Sequence, residues 1–392
     1  MTATILLAGG GTGGHVFPSL AVAGALAAGG HRVAFVGTAG GLESRLVPEA
    51  GWPLHTVAVL PLARRLSVGT LRVPGALLRA AREVTRVIRS DEVVAAAVFG
   101  GYVSLPLALA AWRTGTPFVV HEQNAVPGLA NRVAARRAAT VAVTFPSSTE
   151  AFGVHAHLEL TGNPVRPGLA EVPRAALRAE ALAAFDLQEG RRTLLAFGGS
   201  QGARRINDAL VGAVTRWRDP ASLQILHVTG RGGHAAAEAA WTAALAAVHA
   251  GPAPLVRRVD FVQRMDLAYA TADVVLCRAG ASSIAELTVL GLPSILVPYP
   301  HATADHQTAN ARDLAAAGGA RVVADADLDA ARLVTTAEPL LDDPGLRAEL
   351  GAAARRFGRP DAAARVAALV LEAAGTRPAA LTPPTGGQDD GR

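Results

Sequence analysis

Two side chains in this sequence are of a type, and in a setting, to move a proton. His15 closes the run AGGGTGGH (Ala8–His15), in which five of the eight residues are glycine. An imidazole titrates near neutral pH, so it can take the proton from an attacking hydroxyl. A histidine at the start of a helix can also do no more than bond backbone. Glu122, in HEQN (His121–Asn124), is the competing base. Alternatively, its carboxylate orients His121 or Asn124.

Glycine-rich loops recur along the chain: FGGYVS (Phe99–Ser104), FGGSQGARRIN (Phe197–Asn207) and CRAGASSIAE (Cys277–Glu286), each after an apolar run. Such loops aim unpaired N–H groups and a helix N-terminus at an anion. Parallel sheets take ligands at the carboxyl ends of their strands, so four loops of this kind predict one shared cleft. Gly9, Gly11 and Gly14 also fit G-x-G-x-x-G, but a dinucleotide site needs an acid closing the second strand. That strand, HRVAFVGTAGG, ends in glycine and threonine, and the first acid, Glu43, lies beyond it. A nicotinamide oxidoreductase is therefore disfavoured. All 37 basic residues are arginine, which excludes a Walker-type loop and its lysine. DADLD (Asp325–Asp329) has the D-x-D spacing of a metal-held nucleotide, but it follows the last apparent strand and precedes a helix, where Asp serves as an N-cap. HATADH (His301–His306) is not read as a metal site. The single cysteine, Cys277, reads as a small buried hydrophobe and points to a reducing compartment.

These loops need strands and helices to hold them. Short β-branched runs alternate with Ala/Leu-rich stretches, the pattern of parallel α/β sheets. The first half reads TILLAG, HRVAFVG, VAAAVFG, PFVVHE and TVAVTF. The second restarts at RTLLAFGG and continues through LQILHVTG, LVRRVDFV, DVVLCRAG, PSILVPY and ARVVA. A length of 392 residues suits two such domains. The expected division is residues 1–163, then 164–355, joined near TGNPVRPG. A helix over 360–375 follows, and residues 376–392 have the composition of a disordered tail. The uncharged stretch Val93–Trp112 is long enough to span a bilayer, yet Gly100, Gly101 and Pro106 interrupt it. It reads as a buried strand, a glycine loop and a helix start. No signal peptide is read at the N-terminus.

Taken together, GGGTGGHVFPSLAVA, FGGYVSLP, HEQNAVPGLANR, TGNPVR, GGSQGARRIN and the run from CRAGASSIAEL to PHATADHQTANA resemble the MurG family of N-acetylglucosaminyltransferases. The resemblance covers Ile5 to about Gly375. It implies a GT-B fold, two Rossmann-like parallel-sheet domains facing a cleft, with the C-terminal helix packing back on the first. It implies an inverting transfer from UDP-N-acetylglucosamine to lipid I (undecaprenyl-diphospho-N-acetylmuramyl-pentapeptide), giving lipid II for peptidoglycan synthesis, with no cofactor and no metal. The first domain would take lipid I and the second the donor. Donor contacts are implied at Thr12, Gly13, Gly14, Asn124, Arg166, Ser200 and Val262. The segment Ala281, Ser282, Ser283, Ile284, Ala285 and Glu286 would wrap the nucleotide, with Glu286 on the ribose. His306 and Gln307 stand where the family has two glutamines reaching the sugar. Gly11, Gly14, Gly100, Gly101 and Tyr102 would line the acceptor diphosphate.

A lipid-linked acceptor needs a membrane-facing surface. Leu60–Arg89 interleaves leucines and valines with arginines, a basic amphipathic pattern that suits an anionic membrane. Arg64, Arg65 and Arg72 are the candidate contacts at the cytoplasmic face of the cell membrane. The partners expected are the two substrates, that membrane surface and wall-synthesis proteins; no motif points to nucleic acid. The reading of another class is a nucleotide- or lipid-binding protein that keeps the fold without turnover.

Overall fold

The computed structural model describes residues 3–59, 73–153, 157–166, 168–171, 173–199, 201–248 and 251–375. Two all-parallel sheets organise them. The first contains β1 (Thr4–Ala8), β2 (Arg32–Gly37), β3 (Leu54–Thr56), β4 (Val93–Val98), β5 (Phe118–Glu122), β6 (Thr140–Val143) and β7 (Leu158–Leu160) in the order β3-β2-β1-β4-β5-β6-β7. The second contains β8 (Arg192–Phe197), β9 (Leu223–Val228), β10 (Leu255–Val259), β11 (Val274–Cys277), β12 (Ser294–Leu296) and β13 (Ala320–Val322) in the order β10-β9-β8-β11-β12-β13. Both are doubly wound, with the strand order reversing beside the first strand of each sheet.

The central strands are buried along their length, as parallel strands covered by helices on both faces must be. All five residues of β1 are buried, and Ile5 pairs with Val33 on one side and Ala95 on the other. The glycine loops follow β1, β4, β8 and β11. These are the strand pairs flanking the reversal in each sheet. Two strands escape the sequence pattern: β3 and β7 are three residues each, half-buried at the sheet edges, and too short to show periodicity.

The stretch Val93–Trp112 divides into β4, the Gly100–Gly101 turn and a helix over Ser104–Thr114. Among the described residues no helix is long and apolar enough to cross a membrane. The helix Ala362–Ala373 returns to the first sheet. Its Val366, Ala367, Val370 and Leu371 share a core with Ile5, Leu7, Val22 and Phe35, the i, i+4 spacing placing them on one face. Asp329 caps the helix Ala330–Asp342 by accepting Arg332 N–H at 2.7 Å. Asp325 pairs with Arg278.

Candidate functional site

The first loop is held from below. Glu43 opens the short helix Glu43–Glu49 and is 1% exposed. Its Oε2 accepts the N–H of Gly11 at 2.9 Å, while Oε1 accepts the N–H and hydroxyl of Thr38 at 3.0 and 2.8 Å. Burial opposes ionisation of this carboxyl, but the donated hydrogen bonds outweigh it and keep its pKa below the usual value. Gly11 has φ +84°, a conformation that favours glycine. The helix Gly13–Ala28 then starts from Thr12. The N–H groups of Thr12, Gly13 and Gly14 make no hydrogen bond to another described residue, so an anion-binding helix start is left open. Gly11 differs, because its N–H is already donated to Glu43.

His15 Nδ1 lies 3.0 Å from the carbonyl oxygen of Gly10 and 3.2 Å from Thr12 Oγ1. A carbonyl can only accept, so Nδ1 carries the proton and Nε2 keeps its lone pair. Burial lowers the pKa of the ring, the Gly10 bond opposes this, His306 lowers it further and Glu43 raises it. The neutral imidazole is thereby favoured. The second loop closes against the first: a Cβ on Gly100 would stand 2.8 Å from His15 Nε2, and one on Gly101 only 2.3 Å from Gly10 O. Tyr102, in the same loop, has an exposed side chain.

At the end of β5, His121 is fully buried. Its Nε2 donates to Gly162 O at 3.0 Å and its Nδ1 accepts from Gln123 Nε2 at 3.0 Å. Burial, opposed by the Gly162 bond and assisted by His15, takes its pKa down to about 4. Glu122 is also buried and serves its own loop. Oε1 accepts from Asn124 N at 3.0 Å, and Oε2 accepts from Gly128 N at 3.1 Å and Asn131 Nδ2 at 2.9 Å. Burial raises its pKa against the pull of those bonds. Asn124 Oδ1 accepts from Asn310 Nδ2 at 3.2 Å, which ties the loop to the second sheet's side of the molecule.

On that side, Glu286 lies in the helix Ala281–Leu290. Its Oε2 accepts from the Tyr269 hydroxyl at 2.7 Å, and its Oε1 is 3.4 Å from Arg166 Nε. Burial raises the Glu286 pKa, with Arg166 and Tyr269 acting against it. The Arg166 guanidinium also lies 4.5 Å over the Phe17 ring, which belongs to the first domain. In that helix Ser282 Oγ is buried without a hydrogen-bond partner, while Ala281, Ile284 and Ala285 pack into the core. Ser283 is half-buried in the helix's first turn. Val262 is buried in the loop after β10. His306 begins the helix His306–Ala316, its Nδ1 2.8 Å from Thr303 O. Ahead of it Ala304 and Asp305 take left-handed φ of 51° and 53°. Gln307 Oε1 accepts Tyr299 N at 3.0 Å. Ser200 lies outside the described residues, as do Arg64, Arg65 and Arg72. No cluster of three or more His, Cys, Asp or Glu side chains able to hold a metal occurs among the described residues.

Three residues at this site carry no signal as single letters. Glu43 was the acid that came too late for a ribose. Tyr269 reads as core, and Asn310 as one polar residue in a helix. Each matters through a contact with a segment distant in sequence.

The glycosyltransferase family 28 N-terminal domain matches residues 5–143 and the family's C-terminal domain matches residues 193–366. A protein of Rhodococcus jostii (strain RHA1), named UDP-N-acetylglucosamine--N-acetylmuramyl-(pentapeptide) pyrophosphoryl-undecaprenol N-acetylglucosamine transferase, is 43% identical over 95% of this chain and 97% of its own. One of the same name from Mycobacterium sp. (strain KMS) is 44% identical over 95% and 96%. The crystal structure of Acinetobacter baumannii MurG superposes with a TM-score of 0.76 at 30% identity, covering 95% of this chain and all of that one. With both halves matched and both sheets accounted for, the chain belongs to glycosyltransferase family 28, as a GT-B enzyme of the MurG family.

Proposed function

We infer that this enzyme transfers N-acetylglucosamine from UDP-N-acetylglucosamine to the 4-hydroxyl of the N-acetylmuramyl group of lipid I, with inversion, giving lipid II for peptidoglycan synthesis. The observation that carries the mechanism is the His15 ring: Nδ1 is fixed on Gly10 O, so the free lone pair is on Nε2. The acceptor oxygen forms a bond to the sugar's anomeric carbon as the bond from that carbon to UDP breaks. The hydroxyl proton passes to His15 Nε2, and UDP leaves with the electron pair. The open N–H groups of Thr12, Gly13 and Gly14, with the loop Gly100–Tyr102, suit diphosphate oxygens. Glu122 positions Asn124 rather than taking the proton, because both of its oxygens already accept N–H groups. Arg166, Glu286 and the helix start at Ala281–Ser283 form the nucleotide's side, with the unpartnered Ser282 hydroxyl free for a ligand. Ser200, Val262, His306 and Gln307 complete the donor contacts.

The acceptor's lipid tail places the enzyme peripherally on the cytoplasmic face of the membrane. Trp112 (52% exposed), Leu129 (68%), Leu78 and Val133 lie exposed on neighbouring helices of the first domain. Arg132, Arg136 and Arg137 are exposed along and just after the helix that carries Leu129 and Val133, with Arg137 stacking 5.1 Å over Trp112. Apolar side chains flanked by arginines suit an anionic interface. A coupled assay following UDP release with UDP-N-acetylglucosamine and a lipid I analogue tests the activity. Release that depends on the acceptor supports transfer. Nucleotide binding without release would make the chain a non-catalytic binder.

A further inference from the structure

We propose that Glu43 is a positioning residue for the transfer: from outside the first glycine loop it fixes that loop's shape and holds a negative charge one peptide group away from His15. The Gly10–Gly11 amide donates its N–H to Glu43 and accepts from His15 Nδ1. The proposal rests on the reading of His15 as the base.

The geometry is specific to a carboxylate. Two oxygens receive three donors, from Gly11 and Thr38, and among the described residues no arginine pairs with them, the nearby Arg45 pairing with Glu49 instead. The surroundings leave room for it alone. A Cβ on Gly10 would lie 2.8 Å from Glu43 Oε1, one on Gly37 2.6 Å from its Cγ, and one on Gly41 2.2 Å from its Oε2. Three glycines, one in the loop after β1, one closing β2 and one in the connection that follows it, are thus small because this side chain fills the space between them. Gly10, within the loop, therefore answers to the protein's own carboxylate rather than to substrate. Taking the Gly11 N–H sets where the chain turns into the helix Gly13–Ala28, and so where the next three N–H groups and the imidazole stand.

A buried negative charge under an anion-binding loop opposes diphosphate binding, and a bracing role alone does not require one. It has a use at His15. The groups acting on that ring are Gly10 O and Glu43, which favour the proton, and His306, which disfavours it; His121 is held neutral behind it. Glu43 thus acts against the lowering that burial imposes on the ring.

Glu43→Gln, Glu43→Asp and Thr38→Val, each assayed with a water-soluble acceptor analogue across pH, test this. Glu43→Gln removes the charge and one acceptor. It should lower kcat about 10- to 100-fold, the scale of one hydrogen bond to a charged group, with the KM for UDP-N-acetylglucosamine changing less. Its acid limb in kcat/KM should move to lower pH than in the parent. Glu43→Asp keeps the charge but cannot reach Gly11; it should lose kcat and leave the limb near the parent's. Thr38→Val should leave the limb in place with a small loss. A limb that His15→Ala abolishes but Glu43→Gln leaves unmoved, or a kcat per folded molecule equal to the parent's, overturns the proposal. Absence of a His15-dependent limb in the parent would instead overturn the reading of the base. Thermal melts of each variant separate loss of fold from loss of positioning.

Discussion

Asn310 Oδ1 accepts the backbone N–H of Ala125 at 2.8 Å, across 185 residues of chain and from one domain to the other. The same amide's Nδ2 donates to Ala279 O at 3.1 Å and to Asn124 Oδ1 at 3.2 Å. One fully buried side chain therefore joins the loop after β5 to the loop after β11.

Asn310→Ala leaves the Ala125 N–H and the Ala279 carbonyl without partners. Each buried group left unsatisfied costs about 1–3 kcal/mol. The expected outcome is a lower denaturant midpoint with a raised KM for the donor, because the two walls of the cleft are no longer registered. An unchanged midpoint and KM would show that the contact contributes nothing.

His15→Ala is expected to lower turnover by roughly two to four orders of magnitude, the scale for removing a general base. UDP affinity, measured by calorimetry, should change little. Burial lowers the His15 pKa from 6.5, so the neutral base persists to more acid pH than a free imidazole. The acid limb of kcat/KM should accordingly fall below pH 6.5 in the parent. A limb at or above that value contradicts the assignment.

His121 and His227 are both buried with pKa values taken down to about 4. In the unfolded chain each would titrate near about 6.5. The unfolded state then binds more protons between these values, so stability is fully present above about pH 6.5 and is lost as pH falls towards 4. Each contributes at most about 3 kcal/mol by this linkage. Urea unfolding at pH 7.5 and 4.5 should show the loss, and His227→Gln should reduce the slope. A flat profile between those pH values would refute it.

Glu286 is expected to discriminate the ribose. The parent should bind UDP more tightly than 2′-deoxy-UDP, and Glu286→Ala should bind both weakly and alike, since two hydroxyls donating to a carboxylate make charge-assisted bonds. Equal affinity of the parent for both nucleotides removes the ribose assignment.

Arg64, Arg65 and Arg72 changed together to Ser should cut binding to anionic vesicles by roughly two orders of magnitude, at about 1 kcal/mol per charge. Binding to neutral vesicles should hardly change. Leu129→Ser with Val133→Ser should weaken both, because an apolar contact does not depend on lipid charge. Vesicle sedimentation reads each case. Parent-like binding by both variants would move the membrane contact elsewhere.

The strands carrying the site were legible because each is a run of apolar residues ending in glycine, as TILLAGG and VVAAAVFGG show. The paired edges were not, since LHT and LEL have too few residues for a period to appear. His15 could be picked out by its loop, but the tautomer that makes Nε2 the base depends on Gly10 O, which sequence does not place. Glycine says less than it shows, since much of the space beside Gly10 and Gly101 is filled by Glu43 and by the facing loop. Composition registers a missing side chain without saying what takes its place.

The return of the helix Ala362–Ala373 to the core of Ile5 and Leu7 has a consequence for how the protein is made. A ribosome delivers β1 first and that helix only after the entire second sheet. The first domain therefore waits, one face of its central strands only partly covered by the helix Gly13–Ala28, while the second can finish. Domains commonly fold in the order of synthesis; here the order of completion is reversed.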